Sequence, residues 1–318
     1  MSVLFEKAGI LTTVQDAGRV GCRSLGINVS GSMDSAAARV ANILVGNDGQ
    51  AAVLEMHFPA PVIRFDDNAM IAVCGADFGC TIDGRDAVNW SSHYLERDQS
   101  IRFPQKRFGE RAYLAVRGGF EVEAWLGSRS TNLAAQIGGF KGRRLLDGDR
   151  IDFPGLRDRP GQRSFEAAPS LIPRYSKFPT VRVIAGNEID ELDQTAREIL
   201  LQDTFEISQD SNRMGFRLKG PPIKHIGAEI VSSSVAFGTI QLLPDGQLIV
   251  LMADHQTTGG YPRVAHVITR DLPLLAQLGS GDKVAFHLVS LDEAERLATQ
   301  FERELNFLKA GCKLLSTS

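Results

Sequence analysis

Short apolar or alternating runs dominate the pattern of hydrophobic positions along the chain. They are rich in Val, Ile and Leu, and turn-forming pairs such as Asp83-Gly84 and Asp147-Gly148 separate them. Runs of this length and composition are typical of β-strands rather than helices. The pattern therefore predicts strands at 70–74, 112–116, 151–153, 180–185, 240–243, 248–252 and 283–288.

Three segments show features of helices instead. Ser32 or Asp34 can cap a helix that runs through the alanine-rich stretch 36–41, with Gly46 after its end. Apolar residues recur at helical spacing between 188 and 201. A capping box at 290–293 begins a last helix with an apolar stripe, which Gly311 can end.

Several patterns occur twice, in the same order. The pattern L-x-x-G-D-[KR]-[IV]-x-F at 145–153 returns at 278–286, and a weaker relative at 95–103 has Asp98 in place of the glycine. Gly-Gly-aromatic ends both 116–120 and 257–261, and apolar runs end in glycine at Gly75 and Gly186. Repeats in a common order favour two related β-units.

The segment 154–179 has the composition of a linker, because prolines and glycines are mixed there with Arg, Asp and Ser. We therefore predict a first β-unit at 1–153 and a Pro-rich linker at 154–179. A second β-unit follows at 180–290, and a C-terminal helix occupies 291–318.

Composition excludes several classes of protein. The 318 residues are 43% apolar and 23% charged, with a net charge of −3, as in globular proteins that bind neither nucleic acid nor an anionic membrane. No apolar run is long enough to span a bilayer, and the first residues lack a signal-peptide pattern. The four cysteines form no C-x-x-C pair. We expect a cytoplasmic protein with free thiols.

Common catalytic motifs are absent from the sequence. It contains no G-x-x-x-x-G-K-[ST] phosphate loop and no G-x-S-x-G nucleophile motif. No two of its six histidines have H-x-H or H-x-x-x-H spacing, so we expect no metal site. The chain also lacks a Met-Lys-Met segment for attachment of biotin.

Two polar clusters each allow two interpretations. Ser30 to Asp34 lies where the first helix begins, so it can bind an anion or serve as an ordinary N-cap. Arg213 and Arg217 are four residues apart in 210–217, where they suit a planar anion or a surface turn.

The strongest candidate for a ligand site is the segment 253–262. A buried apolar strand runs directly into Asp254, His255 and a series of other polar residues and glycines. Glycines let a ligand approach the backbone amides, and sites are often placed just after a rigid strand. A loop that only closes a barrel is the alternative, but the crowding of unlike polar groups favours a small-ligand cleft.

A set of motifs in a fixed order extends this interpretation. They lie at 9–19, 30–34, 41–47, 54–55, 117–119, 127–131, 138–139, 211–218, 244–247 and 254–262. Together they resemble the biotin-dependent carboxyltransferase family, also called allophanate hydrolase subunit 2, over nearly all of residues 3–290.

The resemblance implies a mainly β fold with two related cyclophilin-like β-barrel units and a few peripheral helices. It points to the C subunit of an ATP-dependent 5-oxoprolinase, which acts with the A and B subunits to convert 5-oxo-L-proline to L-glutamate. ATP is then bound in the complex rather than by this chain alone. This implies an amide hydrolase component that is active only in the complex.

Under this resemblance, the candidate residues acquire roles as hypotheses. Asp254, Arg213 and Gln256 are the catalytic candidates. The substrate-binding candidates are Ser30, Asp34, Arg117, Gly118, Gly119, Arg217, Thr257, Thr258, Gly259, Gly260 and Tyr261.

Two other functions use the same fold and motifs. One is the carboxyltransferase component of a urea carboxylase or allophanate-type system, which needs biotin on a separate carrier. The other is a non-enzymatic regulatory partner of another protein. The sequence does not separate these from the lactam hydrolase, because one fold can host many functions.

Overall fold

The computed structural model describes residues 1–156, 164–224 and 230–317, which divide into two compact units. Unit 1 comprises Met1–Val20, Ser30–Pro173 and Glu302–Ser318. Unit 2 comprises Gly21–Val29 and Arg174–Phe301. The mainly β fold class expected from the sequence is confirmed.

Unit 1 contains two antiparallel sheets. One has six strands in the order β11-β1-β4-β9-β6-β7, and the other has five in the order β2-β3-β10-β5-β8. The strands are β1 Ser2–Lys7, β2 Thr12–Gln15, β3 Val53–Met56, β4 Val62–Phe65, β5 Ala69–Asp77, β6 Thr81–Ile82, β7 Arg85–Asp86, β8 Ser91–Leu95, β9 Ser100–Arg102, β10 Phe108–Val116 and β11 Arg150–Asp152.

The core of unit 1 draws apolar residues from both sheets, including Phe5 and Phe65 from one and Leu54 and Leu114 from the other. Helix α1 (Ser35–Leu44) packs on β5 and β10. Because the helix covers their outer faces, these two strands are buried almost throughout instead of alternating. Asp34 is the N-cap, as the sequence allows, and its side chain accepts a hydrogen bond from the Ala37 N–H.

Unit 2 is a closed barrel of seven strands in the order β12-β19-β16-β17-β14-β13-β20. Neighbours pair antiparallel except β12 and β20, which are parallel. A separate two-stranded sheet joins β15 and β18. The strands are β12 Thr180–Ala185, β13 Phe205–Ile207, β14 Gly215–Lys219, β15 Ser233–Ser234, β16 Thr239–Leu242, β17 Leu248–Leu251, β18 Thr258–Gly259, β19 Arg263–Val267 and β20 Lys283–Leu288.

The described residues contain three further α-helices, which are α2 Gln194–Gln202, α3 Leu272–Ala276 and α4 Leu291–Thr317. The helix predicted from 188 begins later, because Asp193 caps it by accepting from the Ala196 N–H. Gly311 does not end the last helix, which continues through it to Thr317. None of the helices in the described ranges is long and apolar enough to cross a membrane.

The L-x-x-G-D repeat forms the same turn in both units. The Asp149 carboxylate accepts from the Leu146 N–H at 2.7 Å, and Asp282 accepts from the Gly279 N–H at 2.9 Å. Gly148 and Gly281 have φ of 86° and 85°. In the weaker copy, Asp98 takes this conformation with φ of 67°. The repeat in the sequence is therefore a structural repeat.

The two units differ from the predicted segments in three places. Residues 21–29 belong to unit 2, where Arg23 bonds the Val235 carbonyl. Residues 164–173 belong to unit 1, where Phe165 and Ser92 exchange hydrogen bonds beside β8. The last part of α4, from Glu302, also belongs to unit 1. Residues 157–163 of the predicted linker lie outside the described part of the chain.

Candidate functional site

A cleft of about 480 Å³ opens on one side of the unit 2 barrel. The three motif segments of this half of the chain, at 211–218, 244–247 and 254–262, all contribute to it. It is lined by Asp210, Asn212, Met214, Gly215, Arg217, Gln241, Leu243, Pro244, Asp245, Ile249, Leu251, Gln256 and Tyr261.

Three adjacent strands bring these segments together. β14 pairs with β17, and β17 pairs with β16, so their side chains share one wall. The loop before β14, the turn at 244–247 and the segment after β17 adjoin this wall. Gly215 lets β14 approach β17, because a Cβ there would meet the Ile249 side chain at 2.7 Å.

Arg217, Gln256 and Tyr261 are the predicted site residues that line the cleft. Arg217 is exposed, and no carboxylate in the described residues lies within 4 Å of its guanidinium. Tyr261 is 44% exposed. The cleft therefore presents a guanidinium group, two carboxylates, amides and a phenol to a ligand.

Arg213 and Asp254 form a buried ion pair instead of facing this cleft. The Arg213 Nε donates to Asp254 Oδ2 at 2.8 Å, and Nη2 donates to Oδ1 at 3.3 Å. The backbone repeats the link, because the Asp254 N–H donates to the Arg213 carbonyl at 2.7 Å. The pair thus joins the segments 211–218 and 254–262, which contribute Met214 and Gln256 to the lining of the cleft.

The remaining candidates of unit 2 form an arm beside the barrel. Thr258 and Gly259 make up β18, which pairs with Ser233 and Ser234. The Thr257 carbonyl accepts from the Val235 N–H at 3.2 Å, and Gly260 continues the arm.

His255 lies inside the same segment but is only 2% exposed. Its Nδ1 contacts the Gln256 carbonyl oxygen. Burial lowers the pKa of His255 below its usual value, and the neighbouring charge of Arg23 acts in the same direction. The lowered pKa favours the neutral imidazole, which contacts the backbone of Gln256.

In unit 1, the segment 30–34 is held by internal hydrogen bonds. The N–H groups of Ser32, Met33 and Asp34 donate to the Asp16 carbonyl, the Glu55 carboxylate and the Tyr113 hydroxyl. Asp34 is fully buried as the cap of α1, and Ser30 Oγ donates to the Thr131 carbonyl at 3.4 Å. These backbone amides therefore hold the segment before α1 in place through hydrogen bonds within unit 1.

Arg117, Gly118 and Gly119 form a tight turn after β10, also in unit 1. The Gly118 N–H donates to Asn47 Oδ1 at 2.7 Å, and the Gly119 N–H donates to the Val116 carbonyl at 2.9 Å. Gly118 has φ of 87°, and a Cβ there would meet Pro154 at 2.8 Å. Both amides expected from the sequence to donate to a substrate are thus occupied within unit 1.

Some residues that line the cleft or make buried hydrogen bonds were not predicted from the sequence. Gln241, Asn212 and Asp245 line the cleft, and Gln241 is marked in the sequence only as the polar residue of an otherwise apolar strand. In unit 1, the Asp16 carboxylate accepts from Ser128 Oγ, the Arg129 N–H and other donors. Both Asp16 and Ser128 lie within the family motifs, but no pattern in the sequence indicates that they meet.

Metal coordination is not indicated in the described ranges. No group of three or more His, Cys, Asp or Glu side chains is placed there to hold a metal ion.

Comparison with known proteins agrees with this arrangement. The family described as "Carboxyltransferase domain, subdomain A and B" matches residues 25–288. The chain is 38% identical to the C subunit of 5-oxoprolinase from Escherichia coli, over 91% of each chain. It is 33% identical to the protein of the same name from Haemophilus influenzae, over 93% of this chain and 94% of that one.

A solved structure gives the same result. The urea amidolyase of Kluyveromyces lactis superposes with a TM-score of 0.89 at 28% identity, and the match covers 96% of this chain but 20% of that one. The matched family spans both units and all three motif segments of the cleft. The chain therefore belongs to the carboxyltransferase domain, subdomain A and B, family.

Proposed function

We propose that this chain is the C subunit of an ATP-dependent 5-oxoprolinase and acts with the A and B subunits in the cytoplasm. One observation carries the proposal: the match to the C subunit of the Escherichia coli enzyme covers 91% of both chains. The match to the urea amidolyase covers only a fifth of that much longer protein. The chain thus corresponds to nearly all of the first relative and to a small part of the second.

The reaction must open a stable five-membered lactam. Phosphorylation of the lactam oxygen makes the ring carbon electrophilic, and ATP supplies the phosphoryl group in the whole complex. Water then adds to that carbon, the ring C–N bond breaks, and the nitrogen takes a proton. A second water releases phosphate, so that one lactam, one ATP and two waters give glutamate, ADP and phosphate. The hydrolase activity belongs to this complex, and the chain contributes the lactam site.

The unit 2 cleft has suitable groups for this substrate. The planar guanidinium of Arg217 can hold the carboxylate of 5-oxoproline through two parallel hydrogen bonds. The amides of Asn212 and Gln256 can contact the ring carbonyl. The buried pair of Arg213 and Asp254 then acts as a positioning device, since it fixes the two segments that carry these groups.

The same cleft is poorly suited to ATP. Its lining has the cation of Arg217 against the carboxylates of Asp210 and Asp245, and the sequence contains no phosphate loop. A triphosphate carries several negative charges and would meet much stronger repulsion there than the single carboxylate of 5-oxoproline, which one guanidinium can pair. We therefore propose that ATP is bound by another part of the complex.

The test is steady-state kinetics of the complex reconstituted with wild-type chain, Arg217→Ala or Lys219→Ala. Lys219 is an exposed cation on the same strand outside the cleft, which makes it the matched control. We expect R217A to raise KM for 5-oxoproline by about 10- to 100-fold, since a charge-assisted hydrogen bond is lost. Equal kinetics for R217A and K219A would show that Arg217 does not bind the substrate carboxylate.

The structural likeness to a urea amidolyase favours one alternative, the carboxyltransferase of a biotin-dependent urea carboxylase. That function requires a separate biotinylated carrier. It predicts transfer of a carboxyl group from carboxybiotin to a urea-like acceptor, with no glutamate formed from 5-oxoproline.

A further inference from the structure

Gln241 is a buried polar residue in the wall of the cleft. It lies on β16 between the apolar residues Ile240 and Leu242 and is only 1% exposed, yet it lines the cleft. The pairing of β16 with β19 shifts register between Ile240 and Gln241. Such an irregularity changes the direction of a side chain, and it is common beside functional sites.

The orientation of the Gln241 carboxamide is fixed by its neighbours. Its Nε2 donates to the Tyr261 carbonyl at 3.1 Å, so this end must be the nitrogen. Gly259 packs against the carboxamide, and a Cβ there would lie 2.7 Å from Nε2. The bond to the Tyr261 carbonyl therefore fixes which end of the carboxamide is the nitrogen.

The other end of the carboxamide has no hydrogen-bond partner among the described residues. Oε1 is a strong acceptor that stays open to the cleft, although the residue as a whole is 1% exposed. Because the side chain lines the cleft, a ligand bound there can supply the missing donor.

We propose that Gln241 Oε1 accepts a hydrogen bond from the ring N–H of the substrate and thereby selects lactams over lactones. This inference rests on the proposed function, since 5-oxoproline carries one N–H in its ring. A lactone of the same shape has a ring oxygen in that place, and two acceptors would then face each other.

The expected selectivity follows from this geometry. A site built to bond a substrate N–H rejects an analogue that lacks it, because the acceptor in the site then has no donor to pair with. For one neutral hydrogen bond we expect the lactone analogue to bind about 10- to 100-fold more weakly than 5-oxoproline.

The experiment uses the reconstituted complex with wild-type chain, Gln241→Met and Gln247→Met. For each, KM for 5-oxoproline and the inhibition constant of the lactone analogue are measured. Gln247 is the matched control, because both of its polar side-chain atoms bond the Gly220 backbone and it does not line the cleft.

The ratio of the inhibition constant of the lactone to KM for 5-oxoproline distinguishes a direct contact with the substrate from a structural effect. Loss of the bond to Tyr261 would weaken lactam and lactone alike and leave the ratio unchanged. We expect Q241M to reduce the ratio to less than about threefold, while Q247M keeps it at about 10-fold or more. Should Q241M fail to assemble, Gln241→Asn withdraws the same oxygen by one methylene and should reduce the ratio in the same way.

Two failures can be told apart. Suppose first that the wild-type complex turns over 5-oxoproline. If it does not discriminate against the lactone, or if Q241M and Q241N discriminate as well as wild type, only the role of Gln241 is overturned. A wild-type complex that does not turn over 5-oxoproline overturns the proposed function, and the inference with it.

Discussion

The ion pair of Arg213 and Asp254 joins the two segments that carry the cleft. Both side chains are at least nine-tenths buried, and the guanidinium meets the carboxylate with two hydrogen bonds. Removal of one partner from such a pair leaves a buried charge without compensation.

We therefore expect Asp254→Ala to lower the free energy of unfolding by about 3–5 kcal/mol. Replacement of both residues, as in Arg213→Met with Asp254→Leu, should restore part of the loss, because no charge remains buried. Urea denaturation followed by fluorescence and circular dichroism measures both. If D254A keeps wild-type stability but loses turnover, Asp254 takes part in the chemistry, as expected from its place in the sequence.

We expect two histidines of unit 2 to make its stability depend on pH. Burial lowers the pKa of His255 and of His266 below the usual 6.5. The folded state then binds fewer protons than the unfolded chain. The contribution of the two histidines to the free energy of unfolding is therefore fully present above about pH 6.5 and is lost as the pH falls. Glu188, whose pKa is lowered by its hydrogen bonds to Arg263, acts only at more acidic pH.

We expect the free energy of unfolding to fall between about pH 7 and pH 5, and His266→Gln to make this fall shallower. His287→Gln, at an exposed position on β20, is the control. Chemical denaturation at several pH values measures the slope. A slope that is the same in H266Q and wild type would contradict the assignment of His266.

At the scale of elements, the repeated turn gives the clearest link between sequence and structure. Gly148 and Gly281 have φ of 86° and 85°, and an added Cβ would meet nothing within 4 Å at either. A substitution there tests the backbone conformation alone. Gly311, in contrast, lies inside α4 with open space around it.

Gly281→Ala should therefore destabilise the protein by about 1–2 kcal/mol, since a left-handed conformation is costly for alanine. Gly311→Ala should stabilise it by about 0.5–1 kcal/mol, because alanine favours the helix. Thermal unfolding of both variants gives the signs. Stabilisation by Gly281→Ala would mean that the turn is not held in its left-handed form.

Strands could be predicted from the sequence where apolar runs are bounded by turns, as for β12 and β20, whose bounds agree with the prediction. The predicted start of α2 is too early, because Ile189 and Leu192 fit the helical period but precede the cap at Asp193. Helix α3, which has five residues and begins beside Pro273, was not predicted. Short helices carry too few periods to be recognised.

The site was predicted in part for similar reasons. Arg217, Gln256 and Tyr261 line the cleft, and the motif segments that contain them could be found from polar and glycine residues near a buried strand. Burial is not encoded in one segment, so the sequence alone could not show that Arg213 pairs with Asp254 across 41 residues. The Gly118 N–H is occupied by Asn47, which is 71 residues away, so this contact could not be predicted from the sequence either.

At the scale of the whole molecule, the chain combines a closed barrel with a unit of two sheets, and the matched family extends over both. Under the proposed function, its cleft takes the lactam acid while its two carboxylates disfavour a triphosphate. The proposed function therefore requires other chains to supply ATP, and the activity should appear only in their company.

The most direct measurement is an affinity pull-down of the tagged chain from its own cells, followed by assays of the eluate for ATP hydrolysis and glutamate formation. We predict that A- and B-type components of a 5-oxoprolinase co-purify and that both activities depend on added 5-oxoproline. Recovery of a biotinylated carrier instead, with no response to 5-oxoproline, would contradict the proposed function and indicate carboxyl transfer.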